Sequence, residues 1–189
     1  MDTKIDLRIV KTQKKLALAF KEMMLTTSFN DITVFDLCTC AGVRRATFYK
    51  HFDDKYDFLR SIISHLVNDL AYNVSSTCDM SNPVEYFAMF VTEIFNYFDQ
   101  RKEILNNILT TGTLHIFTDI IMSCTHTALI ENINYAKENG IKIFADVSAV
   151  AAFINGGIAS LLLATLKDSN NNKEETILQL KLILSKLFE

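Results

Sequence analysis

Residues that interrupt regular structure are scarce in this chain, which has one proline and five glycines among its 189 residues. Proline and glycine are the strongest local breaks in helices and strands, so their scarcity predicts long uninterrupted elements. The sequence also lacks any extended alternation of apolar and polar residues, which argues against strands. We therefore predict an all-α fold.

Several other missing features limit the location and the class of function. The N-terminus lacks the basic-then-apolar pattern of a secretory signal, so we expect a cytoplasmic protein in which disulfides are not expected. Cys38 and Cys40 are two residues apart, on different sides of a helix, and do not make a metal pair. No nucleophile–base pair or phosphate-binding loop stands out. We predict no catalytic residues, no cofactor and no metal site, and hence not an enzyme.

One uncharged segment, residues 147–166, is long enough to cross a bilayer. It contains polar residues such as Asn155 and Thr165, and it lacks the basic and aromatic anchors that flank membrane helices. A buried helix is therefore the preferred interpretation, with a membrane span as the alternative. We expect no membrane partner.

The net charge of −3 argues, taken alone, against a nucleic-acid-binding protein. Residues 1–60, however, hold eleven Lys and Arg against eight Asp and Glu, a balance of +3, which leaves −6 for the other 129 residues. A mildly basic head on an acidic body is the asymmetry that directs one end of a protein toward phosphates.

Apolar residues recur at helical spacing between capping residues and glycine-containing turns. Asn82 is a candidate N-cap, with Pro83 as the first residue of its helix. The predicted helices span about residues 6–26, 33–40, 44–52, 55–74, 83–99, 103–109, a long stretch ending at 139–140, 147–166 and 174–188.

Two short helices joined by a turn that contains glycine, as in residues 33–52, are typical of a helix-turn-helix. The second helix of this motif enters the major groove of DNA with its N-terminal residues foremost. Arg44, Arg45 and Thr47 lie there, and arginine is well shaped for bidentate contact with guanine. The alternative is a helical protein–protein interaction module whose basic head docks on an acidic partner.

The order Ala41-Gly42-Val43, then Thr47-Phe48-Tyr49-Lys50-His51-Phe52, then Lys55, resembles the signature of the tetracycline-repressor (TetR) family. The preceding helix ends in Phe29-Asn30-Asp31-Ile32-Thr33, in agreement with that family, and the resemblance covers about residues 8–60. It implies a helix-turn-helix DNA-binding domain within a three-helix bundle over residues 1–54. It also implies a larger helical domain over residues 55–189 that binds an effector and dimerises.

The resemblance implies a homodimeric repressor that binds a palindromic operator in double-stranded DNA. Thr33 would cap the second helix and contact a phosphate, and Gly42 would form the turn. Arg44 departs from the family pattern, in which a small capping residue is common. The DNA-binding residues implied are those expected to face bases or the phosphate backbone: Thr33, Arg44, Arg45, Thr47, Tyr49, Lys50, His51 and Lys55.

Small residues recur every fourth position in the uncharged segment, from Ser148 through Gly156 to Ala164. Such a stripe slants around the helix and lets another helix cross closely. Beside an amphipathic last helix it predicts a four-helix dimer interface, two helices from each subunit. The segment Phe153-Ile-Asn-Gly-Gly157 also resembles a TetR subgroup that includes activators of dihydroxyacetone-kinase operons. The predicted interface residues are Ala152, Gly156, Gly157, Ser160, Ala164, Leu180, Leu184 and Leu187.

Aromatic residues cluster between Tyr86 and Phe98, and apolar residues follow from Leu114. The cluster lines a pocket for an apolar or aromatic small-molecule effector in one interpretation, and forms a packed core in the other. The predicted pocket residues are Phe87, Phe90, Phe95, Leu114, Phe117 and Ile121.

Overall fold

The structure, a computed structural model, describes residues 7–79, 81–167 and 172–188. These residues form nine helices and no strand, apart from one isolated antiparallel bridge between Ile143 and Phe188. The predicted all-α fold is confirmed. The helices are α1 (Leu7–Met23), α2 (Val34–Ala41), α3 (Arg45–Phe48), α4 (Lys55–Ser75), α5 (Pro83–Asp99), α6 (Lys102–Thr110), α7 (Leu114–Glu138), α8 (Val147–Lys167) and α9 (Lys173–Leu187).

The helix ends follow the local chemistry of the sequence. Asn82 caps α5 by accepting a hydrogen bond from the Glu85 N–H, and Pro83 is the first residue of that helix, as predicted. Asn172 caps α9 in the same manner. Most of the segment between the predicted helices 147–166 and 174–188 lies outside the described residues. The largest difference concerns α3, which ends at Phe48 instead of the predicted Phe52.

The chain divides into two compact units. Unit 1 comprises residues up to Ile62 together with Arg101–His115, and unit 2 comprises Ile63–Gln100 and Ile116–Glu189. This division differs from the predicted boundary after residue 54. The first turns of α4 and the whole of α6 group with the helix-turn-helix.

The core of unit 1 is built on phenylalanine. Phe20, Phe29, Phe48, Phe52 and Phe58 are all buried. Phe58 lies at the centre, with ring centroids 5.1 Å from Phe52, 5.7 Å from Phe20 and 5.8 Å from Phe48. Edge-to-face and tilted contacts of this kind add to the stabilisation from burial, so α1, α3 and α4 are held to one another by a rigid aromatic cluster.

The core of unit 2 joins α5, α7, α8 and α9, and α9 packs on both α5 and α8. The buried hydroxyls of Thr165 and Thr176 share a hydrogen bond of 3.0 Å between α8 and α9. At the surface, Lys181 of α9 donates to Glu85 of α5 at 2.7 Å. These polar contacts set the register of α9 against its two neighbours.

One described helix, α8, is long and apolar enough to cross a membrane, with a mean hydropathy of 1.9 over its most apolar window. Its inner face lies in the unit 2 core, where Ala151, Ile154 and Leu162 are buried. Its polar residues Asn155 and Thr165 are buried as well and hydrogen-bonded to neighbouring helices. This packing corresponds to the predicted buried helix.

Candidate DNA-binding site

Thr33 begins the helix-turn-helix as the N-cap of α2. Its hydroxyl accepts a hydrogen bond from the Asp36 N–H at 3.1 Å and donates its own proton to the Asp36 carboxylate. The backbone of Thr33 is extended, as N-cap geometry requires. Because that proton is already engaged, a phosphate contact from Thr33 requires the hydroxyl to turn away from Asp36.

Gly42 makes the turn between α2 and α3. It has φ of 62° in the left-handed region, and its N–H bonds the carbonyls of Cys38 and Thr39. Left-handed backbone at a helix C-terminus favours glycine because a Cβ is strained there. The turn predicted at this residue is therefore formed.

The basic residues in and beside the four-residue helix α3 face outward. Arg44, Arg45 and Lys50 are exposed, and so is half of the Tyr49 side chain. Thr47 and His51 are half-buried. Arg44 occupies the N-cap position of α3 without a side-chain capping bond, which agrees with its departure from the small residue expected there.

Apolar residues on the opposite side fix α3 to the rest of unit 1. Phe48 is fully buried, and Leu37 and Cys38 of α2 are buried beside the turn. Burial raises the pKa of the Cys38 thiol, an effect that the positive charge of Arg45 partly offsets. Cys38 thus remains a neutral thiol that fills the α2 core position.

Lys55 has a structural role that the sequence did not indicate. Its ammonium donates to three backbone carbonyls, those of Phe29, Asn30 and Ile32, at 3.0, 2.8 and 3.0 Å. It also lies 4.9 Å from the centre of the Phe29 ring. Burial lowers the pKa of Lys55, and Asp31 opposes this shift.

An ammonium group has three protons, and all three of Lys55 are used in tying the start of α4 to the loop before α2. The predicted contact of Lys55 with the DNA backbone would require its ammonium to leave at least one of these carbonyls. The remaining predicted DNA-binding residues lie between Thr33 and His51, and the structure brings them onto α2, α3 and the turn that follows α3.

The predicted dimer residues fall into two groups in unit 2. On α8, Ala152, Gly157, Ser160 and Ala164 are exposed and Gly156 is half-buried. On α9, by contrast, Leu180 and Leu184 are buried in the unit 2 core, at 3% and 1% exposure, and Leu187 is half-buried. Leu180 and Leu184 are therefore not available to a second subunit.

The exposed apolar residues of α9 are different ones, namely Leu178, Leu182 and Ile183. These residues were not among the predicted interface residues, because the buried stripe of α9 includes a threonine, Thr176, and is not marked by apolar residues alone. Thr176, Leu180 and Leu184 recur every four residues and are all buried. The Thr165–Thr176 bond explains how a threonine fits that stripe.

A cavity of about 60 Å³ lies within unit 2. Three of the predicted pocket residues, Phe87, Phe90 and Ile121, line it. Phe95 and Phe117 are buried but do not line the cavity, and Leu114 belongs to unit 1. The prediction missed Asn155 and Thr125, which contribute polar groups to the cavity wall.

No family model matches the chain. The HTH-type dhaKLM operon transcriptional activator DhaS of Lactococcus lactis is 35% identical over 68 residues, which are 36% of this chain and 35% of DhaS. The HTH-type transcriptional repressor BepR of Brucella suis is 25% identical over 103 residues, which are 52% of this chain and 49% of BepR. The matches thus span about a third to a half of these curated relatives.

Solved structures share the fold over nearly the whole chain. A TetR-family transcriptional regulator of Syntrophomonas wolfei superposes with a TM-score of 0.68 and 16% identity, covering 94% of this chain and 95% of that one. The dihydroxyacetone kinase operon activator DhaS superposes with a TM-score of 0.56 and 20% identity, covering 93% and 96%. The resemblance found in the sequence is confirmed at the level of the fold.

Proposed function

The chain has the all-helical, helix-turn-helix fold of the TetR regulators, and from this premise we propose that it is a sequence-specific DNA-binding transcriptional regulator of the cytoplasm. The arrangement of α2 and α3 carries the proposal. Buried Leu37 and Phe48 fix the two helices. Lys50 is exposed just beyond the C-terminus of α3, and Arg44 and Arg45 are exposed at its N-terminus. Cations at this end of a recognition helix are placed for phosphates and guanine edges.

Selection of genomic fragments by the purified protein, followed by footprinting, tests this proposal. We expect a protected site with two half-sites about one helical turn, or a multiple of it, apart. Binding to random DNA with the same affinity would contradict it and favour a protein–protein interaction module.

Two arginine variants of unit 1 sharpen this test. Arg45→Ala should reduce base discrimination by about 1–3 kcal/mol at one position of each half-site. Arg60→Ala is the matched control, because Arg60 is an exposed arginine of unit 1 that lies on α4, outside α2 and α3. If both variants lower affinity equally for all sequences, Arg45 does not read a base.

We further propose that the regulator is a homodimer held by the exposed faces of α8 and α9. Phe153 of α8 is 66% exposed, and Leu178 and Leu182 of α9 are 51% and 54% exposed. Apolar side chains exposed together on adjacent helices are typical of an interaction surface. Two copies of this face would make a two-fold symmetric four-helix interface, in which the same residues meet on both sides.

The glycines of α8 support the same assignment. A Cβ added at Gly156 or Gly157 would meet nothing within 4 Å, so packing inside the subunit does not require a glycine at either position. Glycine inside a helix costs about 0.5–1 kcal/mol relative to alanine. A second helix crossing closely at this point would account for that cost.

Regulation is proposed to follow from an effector that occupies the unit 2 cavity and favours one arrangement of the dimer. Such a ligand changes DNA binding only if its affinities for the two arrangements differ, and it weakens DNA binding if it binds the non-binding arrangement more tightly. The helix α4 is continuous from unit 1 into unit 2 and is the proposed mechanical link.

We propose that the regulator is a repressor, since a protein that occupies a promoter blocks transcription without contacting the transcription machinery. A reporter gene behind the footprinted site should be silenced by the protein, and activation would contradict this part.

A further inference from the structure

The wall of the unit 2 cavity is apolar except at three side chains. Apolar residues of α4, α5, α7 and α8 supply most of it, among them Phe90, Met122 and Ile158. Tyr86, Thr125 and Asn155 are the polar residues. No Asp, Glu, Lys, Arg or His lies among the described residues that line it.

The absence of an ionised group in this wall limits the charge of a ligand. Burial raises the pKa of Tyr86, with Cys78 adding to the shift, so the hydroxyl stays protonated at neutral pH. An ion entering the cavity would lose its hydration without finding an opposite charge. The cavity therefore selects against ions and suits an uncharged molecule.

Asn155 contributes unused hydrogen-bonding capacity to this wall. Its Nδ2 donates to the Met122 carbonyl at 2.9 Å, and its Oδ1 accepts from the Thr125 hydroxyl at 2.8 Å. A primary amide has two donor protons and two acceptor lone pairs. One donor and one acceptor position of this 92%-buried side chain are thus left for a ligand.

Because of Thr125, the acceptor Oδ1 of Asn155 is more available to a ligand than the donor Nδ2. Its single hydroxyl proton has three acceptors within reach: the Ile121 carbonyl at 2.9 Å, the Met122 carbonyl at 3.3 Å and Asn155 Oδ1 at 2.8 Å. Because one proton cannot serve all three, a donor supplied by a ligand would add a hydrogen bond. The protonated Tyr86 hydroxyl, on the same wall, can in turn donate to the ligand's oxygen.

We propose that the unit 2 cavity binds an uncharged, mainly apolar molecule with one hydroxyl group, which donates to Asn155 Oδ1. This inference names the chemical class of the effector proposed above. Its biological consequence, but not the binding itself, rests on the proposed regulatory role. The cavity of about 60 Å³ is smaller than the roughly 150 Å³ that holds a benzene ring. Side-chain movement, to which the flexible Met122 is suited, must therefore accompany binding of a ring.

Calorimetric titration of the full chain with phenol, toluene and benzoate tests the proposal in the absence of DNA. The three probes share a ring and differ in being a neutral donor, a neutral apolar molecule and an anion. We expect phenol to bind saturably, toluene at least about tenfold more weakly, and benzoate not measurably. Saturable binding of benzoate as tight as that of phenol, equal binding of toluene and phenol, or no phenol binding would overturn the proposal.

Two threonine variants separate this role from a purely structural one. Thr125→Val removes the internal donor to Asn155 Oδ1, so phenol should bind a few-fold more tightly while toluene is unchanged. Thr165→Val is the matched control, since Thr165 is buried and hydrogen-bonded but does not line the cavity; it should change neither. Weaker phenol binding by Thr125→Val would refute the assignment of Asn155 as acceptor.

A third variant fixes the location. Ala159 lines the cavity, and Ala159→Leu should weaken phenol and toluene alike by filling it. Unchanged binding would place the ligand elsewhere and refute the proposal. None of these measurements involves operator DNA. A failure of ligand selectivity would therefore refute this inference alone, and a failure of DNA binding would refute the proposed function alone.

Discussion

Replacing Lys55 by methionine discriminates between its two possible roles, as a contact to the DNA backbone and as an internal tie. Methionine keeps most of the aliphatic stem and removes the ammonium that donates to the Phe29, Asn30 and Ile32 carbonyls. Hydrogen bonds from charged donors contribute about 1.5–3 kcal/mol each when buried. Asn30 is exposed, so water replaces much of that contact.

The loss should therefore come mainly from the two part-buried bonds, each at the lower end of that range, and we expect Lys55→Met to destabilise the protein by about 3 kcal/mol in total. For a chain of this size each kcal/mol lowers the melting temperature by about 2–4 °C. Thermal unfolding followed by circular dichroism should thus show a decrease of about 6–12 °C. Lys50→Met is the matched control, since Lys50 is exposed, and it should leave the melting temperature nearly unchanged.

The salt dependence of operator binding gives the second, independent readout. A lysine that contacts a phosphate contributes about 0.9 to the slope of log affinity against log salt concentration. Lys50→Met should lower the slope by about that amount, whereas Lys55→Met should lower affinity at every salt concentration and leave the slope unchanged. An unaltered melting temperature together with a reduced slope for Lys55→Met would refute the structural role.

Three further changes have definite expected outcomes. Asn132 is 5% exposed, and neither of its amide atoms has a hydrogen-bond partner among the described residues. Asn132→Leu should therefore raise the free energy of unfolding by about 1–3 kcal/mol. A lower free energy of unfolding in chemical denaturation would contradict this. Gly42→Ala should destabilise by about 1–2 kcal/mol because its φ is positive; an unchanged or raised melting temperature would be inconsistent with the backbone argument. Leu182→Glu should convert the proposed dimer to a monomer in analytical ultracentrifugation, with Tyr72→Glu, another exposed position, as control; an unchanged sedimentation coefficient for Leu182→Glu would place the interface elsewhere.

The sequence predicted those elements whose formation depends on local chemistry. The start of α5 follows from Asn82 and Pro83, and the turn after α2 follows from Gly42, because a cap or a left-handed residue acts within a few positions of itself. The end of α3 was not predictable in this way. Phe52 continues the apolar pattern of the helix, but it is buried as part of the aromatic cluster around Phe58, outside any helix.

The roles of single polar residues were less accessible because they depend on partners far away in the sequence. Lys55 has its acceptors 23 to 26 residues earlier, and Asn155 has its partner Thr125 30 residues earlier. Neither separation produces a periodic signal. From sequence alone, a lysine at a helix start is consistent with a phosphate contact, and only the structure shows that its ammonium donates to backbone carbonyls. Asn155 is likewise consistent with an exposed helix position, and only the structure shows that it contacts α7.

The part of unit 1 up to Ile62 and unit 2 bury different kinds of groups, and this difference leads to a last prediction. In the part of unit 1 up to Ile62 the buried side chains are all apolar and five are phenylalanines, as suits the surface proposed to present fixed donors to DNA. In unit 2, α7 carries the unpaired amide of Asn132 within two turns of Thr125, which lines the cavity. An unpaired buried amide and unfilled space both lower the free energy of local opening.

Backbone amides of α7 around Asn132 should therefore exchange with deuterium faster than those of α1 around Leu16 and Phe20. The substitution Asn132→Leu should slow the exchange in α7 alone. Equal protection of α7 and α1 in the unmodified protein would mean that unit 2 is as rigid as unit 1, and that its cavity cannot widen at the low cost that binding of a ring requires.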